Sequence, residues 1–144
     1  MISDDDLYWY RATYVKNHDG DTVSVDIDLG FQISVGQNIR MYGINTPELQ
    51  GATAPAAKVA QLFLESLLKA SVSSKQLRLK SYKDQNDKYG GRILGELWLP
   101  VKFHNVADPK SAFYDPLGEW TNLNQLMIKA GHAKPYFGVG EKPV

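Results

Sequence analysis

The alternation of apolar and polar side chains between residues 23 and 29 is the feature that most restricts the fold of this chain. Val23, Val25 and Ile27 alternate with serine and aspartate side chains, and a period of two places the two sets on opposite sides of a strand. Counting back by two from Val23 puts Asp21 on the buried side, where a carboxylate needs a cation or a donor. Alternatively, Asp21 lies in the preceding turn and bonds only backbone N–H groups.

Four other segments have strand character. They are predicted at residues 7–15, 31–44, 77–82 and 93–99, and the second of them is expected to break near Gly36. Residues 55–70, between the third and fourth strands, carry an apolar stripe at helical spacing. The stripe consists of Val59, Leu62, Phe63, Leu67 and Leu68. Five strands with a helix in this place follow the order of an OB barrel.

A second helix is predicted near the end of the chain. Asn122 is placed to cap it and Gly131 to end it. Its inward-facing side chains are Leu123, Leu126, Met127 and Ala130. The fold class is therefore mainly β, a five-stranded OB barrel with two or more packed helices.

Length and composition indicate one domain over residues 1–144, within which residues 100–121 are predicted to be irregular. The chain has no cysteine, which excludes disulfides and thiolate metal sites. Its three histidines share no ligand spacing, so a zinc site is not expected. No long apolar run suggests a membrane span, and the acidic N-terminus is unlike a secretory signal. A cytoplasmic location is the expectation.

The net charge is zero, from 16 basic and 16 acidic residues, which counts against binding of nucleic acid by bulk charge. The charges are unevenly distributed, however. Acids dominate up to Asp28, whereas bases dominate from Lys75 to Arg92. A local positive face beside an acidic pocket is one interpretation. The other is an ordinary solvated strand and loop.

Oxygen donors are concentrated in residues 18–22 and 40–48. The first stretch places Asp19 and Asp21 around a turn glycine. The second carries an amide, a hydroxyl and a carboxylate after a strand. Pro47 favours an extended Thr46, whose carbonyl is thereby left outside any helix. Together these oxygens predict a cation site beside Arg40.

Several short blocks occur in the order seen in the staphylococcal (micrococcal) nucleases, also called thermonucleases. The blocks are Asp19-Gly20-Asp21-Thr22, Arg40, Gly43-Ile44-Asn45-Thr46-Pro47-Glu48, Asp87-Lys88-Tyr89-Gly90-Gly91-Arg92, Asn122-Leu123-Asn124 and Ala130-Gly131-His132-Ala133. The chain resembles that family over roughly residues 10–136. The family usually has a short turn where residues 100–121 lie, so the resemblance implies that this irregular segment is an insertion. The resemblance implies an OB barrel and a calcium-dependent endonuclease acting on DNA and RNA with little sequence preference.

The resemblance also implies roles for individual residues. Arg40, Glu48 and Arg92 would be catalytic, with Glu48 as the general base and the arginines holding phosphate. Asp21, Asn45 and Thr46 would bind Ca²⁺, with Mg²⁺ or Mn²⁺ as alternatives, and Asp19 would orient water at the metal. The substrate contacts would be Lys88, Tyr89 and Tyr136, although both tyrosines could instead be packing residues. Single-stranded substrates and a monomer are expected.

Two departures from the family pattern favour a second hypothesis. Asn45 stands where the family most often has aspartate, which removes one negative charge from the metal site. The block ending in Arg92 carries an additional glycine. Together with the zero net charge, these features are compatible with an OB-fold module that binds nucleic acid or protein with weak or no turnover.

Overall fold

Nine strands and two α-helices occur within residues 3–82 and 92–137, the part of the chain that the computed structural model describes. The strands are β1 (Trp9–Asn17), β2 (Thr22–Gly30), β3 (Ile33–Met41), β4 (Ile44–Asn45), β5 (Arg78–Ser81), β6 (Ile93–Phe103), β7 (Ala112–Tyr114), β8 (Glu119–Asn122) and β9 (Lys134–Pro135). The helices are α1 (Ala54–Ala70) and α2 (Leu123–Lys129). Short 3-10 turns occur at Asp4–Asp6, Gly51–Thr53 and Pro109–Ser111.

Five of these strands close into a barrel. Their order is β3-β2-β1-β5-β6, with antiparallel neighbours along that path. Parallel pairing of β3 with β6 closes the barrel and sets Arg40 beside Leu94. The predicted fold class, a mainly β barrel of five strands with packed helices, is confirmed.

The barrel interior follows the predicted alternation on β2. Val23, Val25 and Ile27 are at most 6% exposed, whereas Asp26 and Asp28 are exposed. The β2–β3 register continues through the pair Asp26 and Gly36. The predicted break near Gly36 is therefore wrong, because pairing with β2 holds this glycine in a regular strand.

Helix α1 has nearly the predicted extent, and Leu67 and Leu68 of the predicted stripe are buried, but the buried face is shifted from the predicted one. Its buried side chains are Ala57, Ala60, Leu64, Leu67 and Leu68. Two members of the predicted stripe, Val59 and Leu62, are 56% and 49% exposed. Both sets have helical spacing, and the small alanines allow the helix to approach the strands closely.

Residues 100–121 are more regular than predicted. Strand β6 continues through Pro100 to Phe103, and β7 and β8 both pair with it. The close approach at Gly118, where a Cβ would lie 2.6 Å from the Val101 carbonyl oxygen, requires a glycine. The irregular character predicted for this segment is thus wrong, because its order comes from pairing with a distant strand.

The second helix agrees with the prediction. The Asn122 side chain accepts hydrogen bonds from the backbone N–H groups of Asn124 and Gln125. Gly131 ends the helix with a positive φ of 81°. The four predicted inward residues Leu123, Leu126, Met127 and Ala130 are at most 1% exposed. No helix in the described residues has the length and apolar character needed to span a membrane.

Candidate functional site

The turn between β1 and β2 is built around Asp19. Its Oδ1 accepts hydrogen bonds from the backbone N–H groups of Asp21 and Thr22, at 3.0 and 2.9 Å. Gly20 packs so closely on the next loop that a Cβ would lie 2.7 Å from Thr46 Cγ2. Glycine at this position therefore allows the turn to contact the loop that follows β3.

The second loop begins where β3 ends. Gly43 adopts a positive φ of 84°, and β4 then pairs with β9, which sets Asn45 opposite Lys134. The backbone N–H of Thr46 donates to Asp21 Oδ2 at 2.9 Å. The acidic turn and the proline-containing loop therefore meet, and a hydrogen bond joins them directly.

Asp21 is 5% exposed, but it lies in the turn before β2, as the alternative interpretation expected, and its neighbours Gly20 and Thr22 are buried as well. It accepts a backbone N–H, as that interpretation also expected, but it faces a guanidinium too. Arg40, itself 7% exposed, places Nη2 3.4 Å from Asp21 Oδ2. The buried carboxylate thus has both a donor and a cation as partners, which offsets the cost of burying it.

The Arg40 guanidinium is held by further contacts. Nη1 donates to the Met41 carbonyl oxygen at 3.0 Å, and Nη2 donates to Asn45 Oδ1 at 3.4 Å. Asn45 Nδ2 donates in turn to the Thr46 carbonyl oxygen at 3.3 Å. Both ends of the Asn45 amide are therefore engaged within the site.

Arg92 approaches the same carboxylate through a hydroxyl. Its Nη1 donates to Thr22 Oγ1 at 3.2 Å. The Thr22 hydroxyl donates in turn to Asp21 Oδ1, also at 3.2 Å. Arg40 therefore contacts one oxygen of the Asp21 carboxylate, and Arg92 is linked to the other oxygen through Thr22. Sequence reasoning quoted Thr22 in a motif but assigned it no role.

Glu48 lies two residues beyond Thr46 and its side chain is exposed. Its backbone carbonyl accepts a hydrogen bond from Thr53 Oγ1 at 2.9 Å, which fixes the loop ahead of α1. The carboxylate is thus accessible to solvent on a loop anchored at both ends.

Tyr136 is 9% exposed, and its backbone N–H donates to the Gly43 carbonyl oxygen at 2.9 Å. A ring buried to this degree has little surface left for stacking on a base. The other two predicted substrate contacts, Lys88 and Tyr89, lie outside the described residues.

Asn124 is a supporting residue that the sequence placed in a motif block but to which no role was assigned. It is fully buried, and its Nδ2 donates to the carbonyl oxygens of Tyr42 and Gly95 at 2.9 and 3.0 Å. Its Oδ1 accepts from the Leu97 backbone N–H at 3.2 Å. Asn124 therefore joins the end of the Arg40 strand to β6. The available signal was an amide on an otherwise apolar helix face.

Negative charge is concentrated at the acidic turn. Burial, together with the neighbouring Asp21 carboxylate, raises the pKa of Asp19 to about 6. Two carboxyl groups held close together in a partly dry environment disfavour double ionisation. A cation bound nearby would reduce this cost.

The donors present suit a hard divalent cation. Asp21, Asn45 and Thr46 offer carboxylate, amide and carbonyl oxygens, which are the ligand types that Ca²⁺ prefers. Thr46 Oγ1 is buried and has no hydrogen-bond partner among the described residues, so a water molecule or a polar ligand would satisfy it. The described residues contain no cluster of three His, Cys, Asp or Glu side chains suited to a metal, and the cation would depend largely on neutral oxygens.

Comparison with known proteins adds to this geometry. A family model described as staphylococcal nuclease homologue matches residues 38–143. A thermonuclease of Staphylococcus hyicus is 34% identical over 103 residues, which are 68% of this chain and 57% of that protein. The aligned region thus spans little more than half of the relative. The family match begins after the acidic turn, so the link between that turn and the matched region comes from the fold.

Proposed function

Because this chain belongs to the staphylococcal nuclease family, we propose that it is a metal-dependent nuclease that hydrolyses phosphodiester bonds of DNA and RNA. The observation that best supports this proposal is the hydrogen bond between the Thr46 N–H and Asp21 Oδ2, 2.9 Å long. It joins the oxygen donors of two loops beside the buried Arg40. Single strands are the proposed substrate, and the active form is a monomer.

Glu48 is the proposed general base. In hydrolysis, the oxygen of water bonds to phosphorus and its proton passes to the Glu48 carboxylate. The bond to the leaving sugar oxygen breaks, and that oxygen takes a proton. A base of this kind contributes on the order of 10² to 10⁴ in rate. The exposure of Glu48 supports the role, since water and substrate can reach it.

Arg40 and Arg92 are the proposed phosphate clamp. Their planar guanidinium groups suit paired phosphoryl oxygens and offset the charge that develops during attack. Support comes from their links to the two oxygens of the Asp21 carboxylate, Arg40 directly at 3.4 Å and Arg92 through Thr22. Asp21 holds Arg40 in place in the absence of substrate.

Asp21, Asn45 and Thr46 are the residues that would hold Ca²⁺, with Mg²⁺ or Mn²⁺ as substitutes. The bound cation would supply positive charge that stabilises the negatively charged phosphoryl oxygens. Asp19 orients the surrounding water and fixes the turn through its two backbone hydrogen bonds.

The test is cleavage of single-stranded DNA and RNA with Ca²⁺ and with excess chelator. Wild type should cleave only with the cation, and Glu48→Gln should lower turnover about 10²- to 10⁴-fold without changing the thermal midpoint. Glu119→Gln, an equivalent change at an exposed carboxylate on β8, should cleave like wild type. Equal rates for Glu48→Gln and wild type would refute the assigned base.

A binding module without turnover is the second candidate, and the internal bonding of Asn45 favours it. Because its amide bonds both Arg40 and the Thr46 carbonyl oxygen, a cation would compete with these contacts. Asn45→Asp adds a carboxylate and should tighten Ca²⁺ binding, on the order of tenfold, as measured by calorimetry. Cleavage that appears only in this variant, with salt-sensitive binding of single strands by wild type, would establish the second candidate.

A further inference from the structure

All three tryptophans of the chain lie on one outer face formed by β1, β5, β6 and β8. Cross-strand register pairs Trp9 with Lys80, Trp98 with Arg78 and Trp120 with Pro100. The intervening Leu79, Leu97 and Leu99 are fully buried, so the alternate side chains of these strands face outward. We call this surface the tryptophan face. Its members are Trp9, Arg11, Arg78, Lys80, Trp98 and Trp120.

Two of the three indole rings of this face are exposed, and the third, that of Trp98, is half-buried. Trp9 and Trp120 are 41% and 48% exposed, although large aromatic side chains are usually well buried. Trp9 and Trp98 have ring centroids 5.7 Å apart. The Arg78 guanidinium carbon lies 5.5 Å from the Trp120 ring centroid. The face therefore offers flat π surfaces with a cation among them.

Arg11 and Arg78 are directly in register on neighbouring strands. Neither takes part in a salt bridge within residues 3–82 and 92–137, and like charges facing each other across strands are unfavourable. Burial, and then the charge of Arg11, lower the pKa of Arg78. An anion between the two guanidinium groups would relieve this repulsion.

The opposite end of the face is already occupied by the chain itself. Lys80 Nζ donates to the carbonyl oxygens of Asp5 and Leu7 at 2.5 and 2.9 Å. These carbonyl groups lie in or next to the N-terminal 3-10 turn Asp4–Asp6. Glu96 accepts from Trp98 Nε1 at 3.1 Å. Positive charge that is not held in a salt bridge among the described residues is therefore concentrated at the end formed by Arg11, Arg78 and Trp120. Asp28 is in register with Arg11 on the other neighbouring strand and is the carboxylate nearest in register to this end.

This end is within reach of the candidate active site but separate from it. Leu94 pairs with Arg40, and Trp98 lies four residues further along the same strand, about 13 Å away at the usual strand rise. A single-stranded nucleic acid can extend over that distance, since an OB fold binds about 4 to 16 nucleotides of such a strand.

We propose that the tryptophan face is a second nucleic-acid site, where bases of a single strand stack on Trp98 and Trp120 while its phosphates contact Arg11 and Arg78. Charge complementarity selects this occupant, because the face combines exposed rings with two guanidinium groups that make no salt bridge among the described residues. Arg78 Nη1 donates to the carbonyl oxygens of Lys75 and Leu77, which hold the group in place without neutralising its charge. Stacking makes the site indifferent to base sequence. Binding at this site is a function additional to hydrolysis and does not require it.

Intrinsic fluorescence tests the proposal directly, because every tryptophan of the chain lies on this face. Oligothymidylate of about 12 nucleotides is titrated into the full chain carrying Glu48→Gln, with chelator present and with the oligonucleotide checked for integrity. Quenching is expected, and the affinity should fall with salt. Trp120→Ala should weaken binding about 5- to 150-fold, the range measured for a lost stacking platform, whereas Trp120→Phe should restore most of it.

Arg78→Gln should weaken binding and reduce the salt slope by about 0.7 for one lost phosphate contact on a single strand. The matched control is Lys129→Gln, which removes one positive charge at an exposed position on α2 and should bind like the parent. Circular dichroism and thermal unfolding verify that each variant is folded. In the background with Glu48 intact, Trp120→Ala and Arg78→Gln should cleave a dinucleotide as wild type does, because it is too short to reach the face.

Three results would overturn the proposal. One is an absence of quenching at low salt. Another is equal weakening by Lys129→Gln and Arg78→Gln, which would indicate bulk charge alone. The third is stronger binding of a hexaglutamate peptide than of the oligonucleotide, which would identify an acidic protein segment as the occupant. None of these depends on whether the chain cleaves nucleic acid, so each is distinguishable from failure of the proposed nuclease function.

Discussion

At the scale of single residues, Asp21 combines a structural role, pairing with Arg40, with its proposed role as a cation ligand. It accepts the Thr46 N–H and lies 3.4 Å from Arg40, so it neutralises a buried guanidinium in the protein alone. The same carboxylate is the proposed cation ligand. A carboxylate whose only role was to bind a metal would be repelled by neighbouring carboxylates in the metal-free protein. Its removal would then not destabilise the fold.

Asp21→Ala should therefore destabilise the metal-free protein by about 3 to 5 kcal/mol, the cost of leaving a buried charge without its partner. Urea unfolding in the presence of chelator measures this free energy. The comparison is Lys69→Ala, which breaks the exposed pair between Lys69 and Glu65 and should have a much smaller effect. An unchanged or increased stability in Asp21→Ala would show that Arg40 does not depend on this carboxylate.

At the scale of elements, α1 illustrates how far a periodic pattern can be interpreted. The extent of the helix, Ala54–Ala70, agrees with the prediction of residues 55–70 because spacing and the early proline are local signals. The face was predicted wrongly at Val59 and Leu62 because the larger apolar side chains were assumed to be inside. Contact with the barrel instead favours the alanine-containing side.

Substitution of two leucines of α1 distinguishes the buried face of the helix from its exposed face. Leu64→Ala should cost about 2 to 5 kcal/mol, because Leu64 is fully buried and its truncation leaves a cavity. Leu62→Ala, at a position 49% exposed, should cost less than about 1 kcal/mol. Denaturant unfolding of both variants checks the prediction, and similar losses would mean that the helix is rotated from the orientation described above.

Helix α1 also contacts the turn after α2 through His132. The Phe63 and His132 ring centroids are 4.7 Å apart, and burial, then Lys110, lower the pKa of His132 below its ordinary value of 6.5. Protonation therefore favours the unfolded chain, and the related stability is present above pH 6.5 and is lost as the pH falls below it. The free energy of unfolding should decrease between pH 7 and pH 5 by more in wild type than in His132→Gln. Equal changes in the two proteins would contradict this.

At the scale of the whole molecule, barrel closure sets the distance between the two arginines. Arg40 is in β3 and Arg92 immediately precedes β6, and these strands meet only through the short parallel ladder from Ile39 to Met41. Gly95 lies in this ladder, and a Cβ there would lie 2.7 Å from Leu79 Cδ1 and 2.9 Å from the Lys80 carbonyl oxygen. The closure therefore requires a residue without a side chain.

Gly95→Ala should destabilise the protein by about 1 to 3 kcal/mol through overpacking, and it should lower any nuclease activity because the β3–β6 ladder shifts. Gly36→Ala is the matched control, since its Cβ would meet only the flexible Asp26 side chain at 3.3 Å. Its unfolding free energy should stay within about 0.5 kcal/mol of wild type. A stable and fully active Gly95→Ala would show that closure tolerates a side chain here.

Local signals in the sequence determined the five barrel strands, the extent of α1 and the capped α2, because strand alternation, helical spacing and capping each depend on neighbouring residues. Only the tertiary structure decided which face of α1 is buried, that Gly36 stays in a regular strand and that residues 100–121 form two paired strands. It also decided that Thr22 links Arg92 to Asp21, and that the three tryptophans share one surface. These features depend on contacts between residues distant in the chain, whose free energy outweighs local preference once the barrel closes.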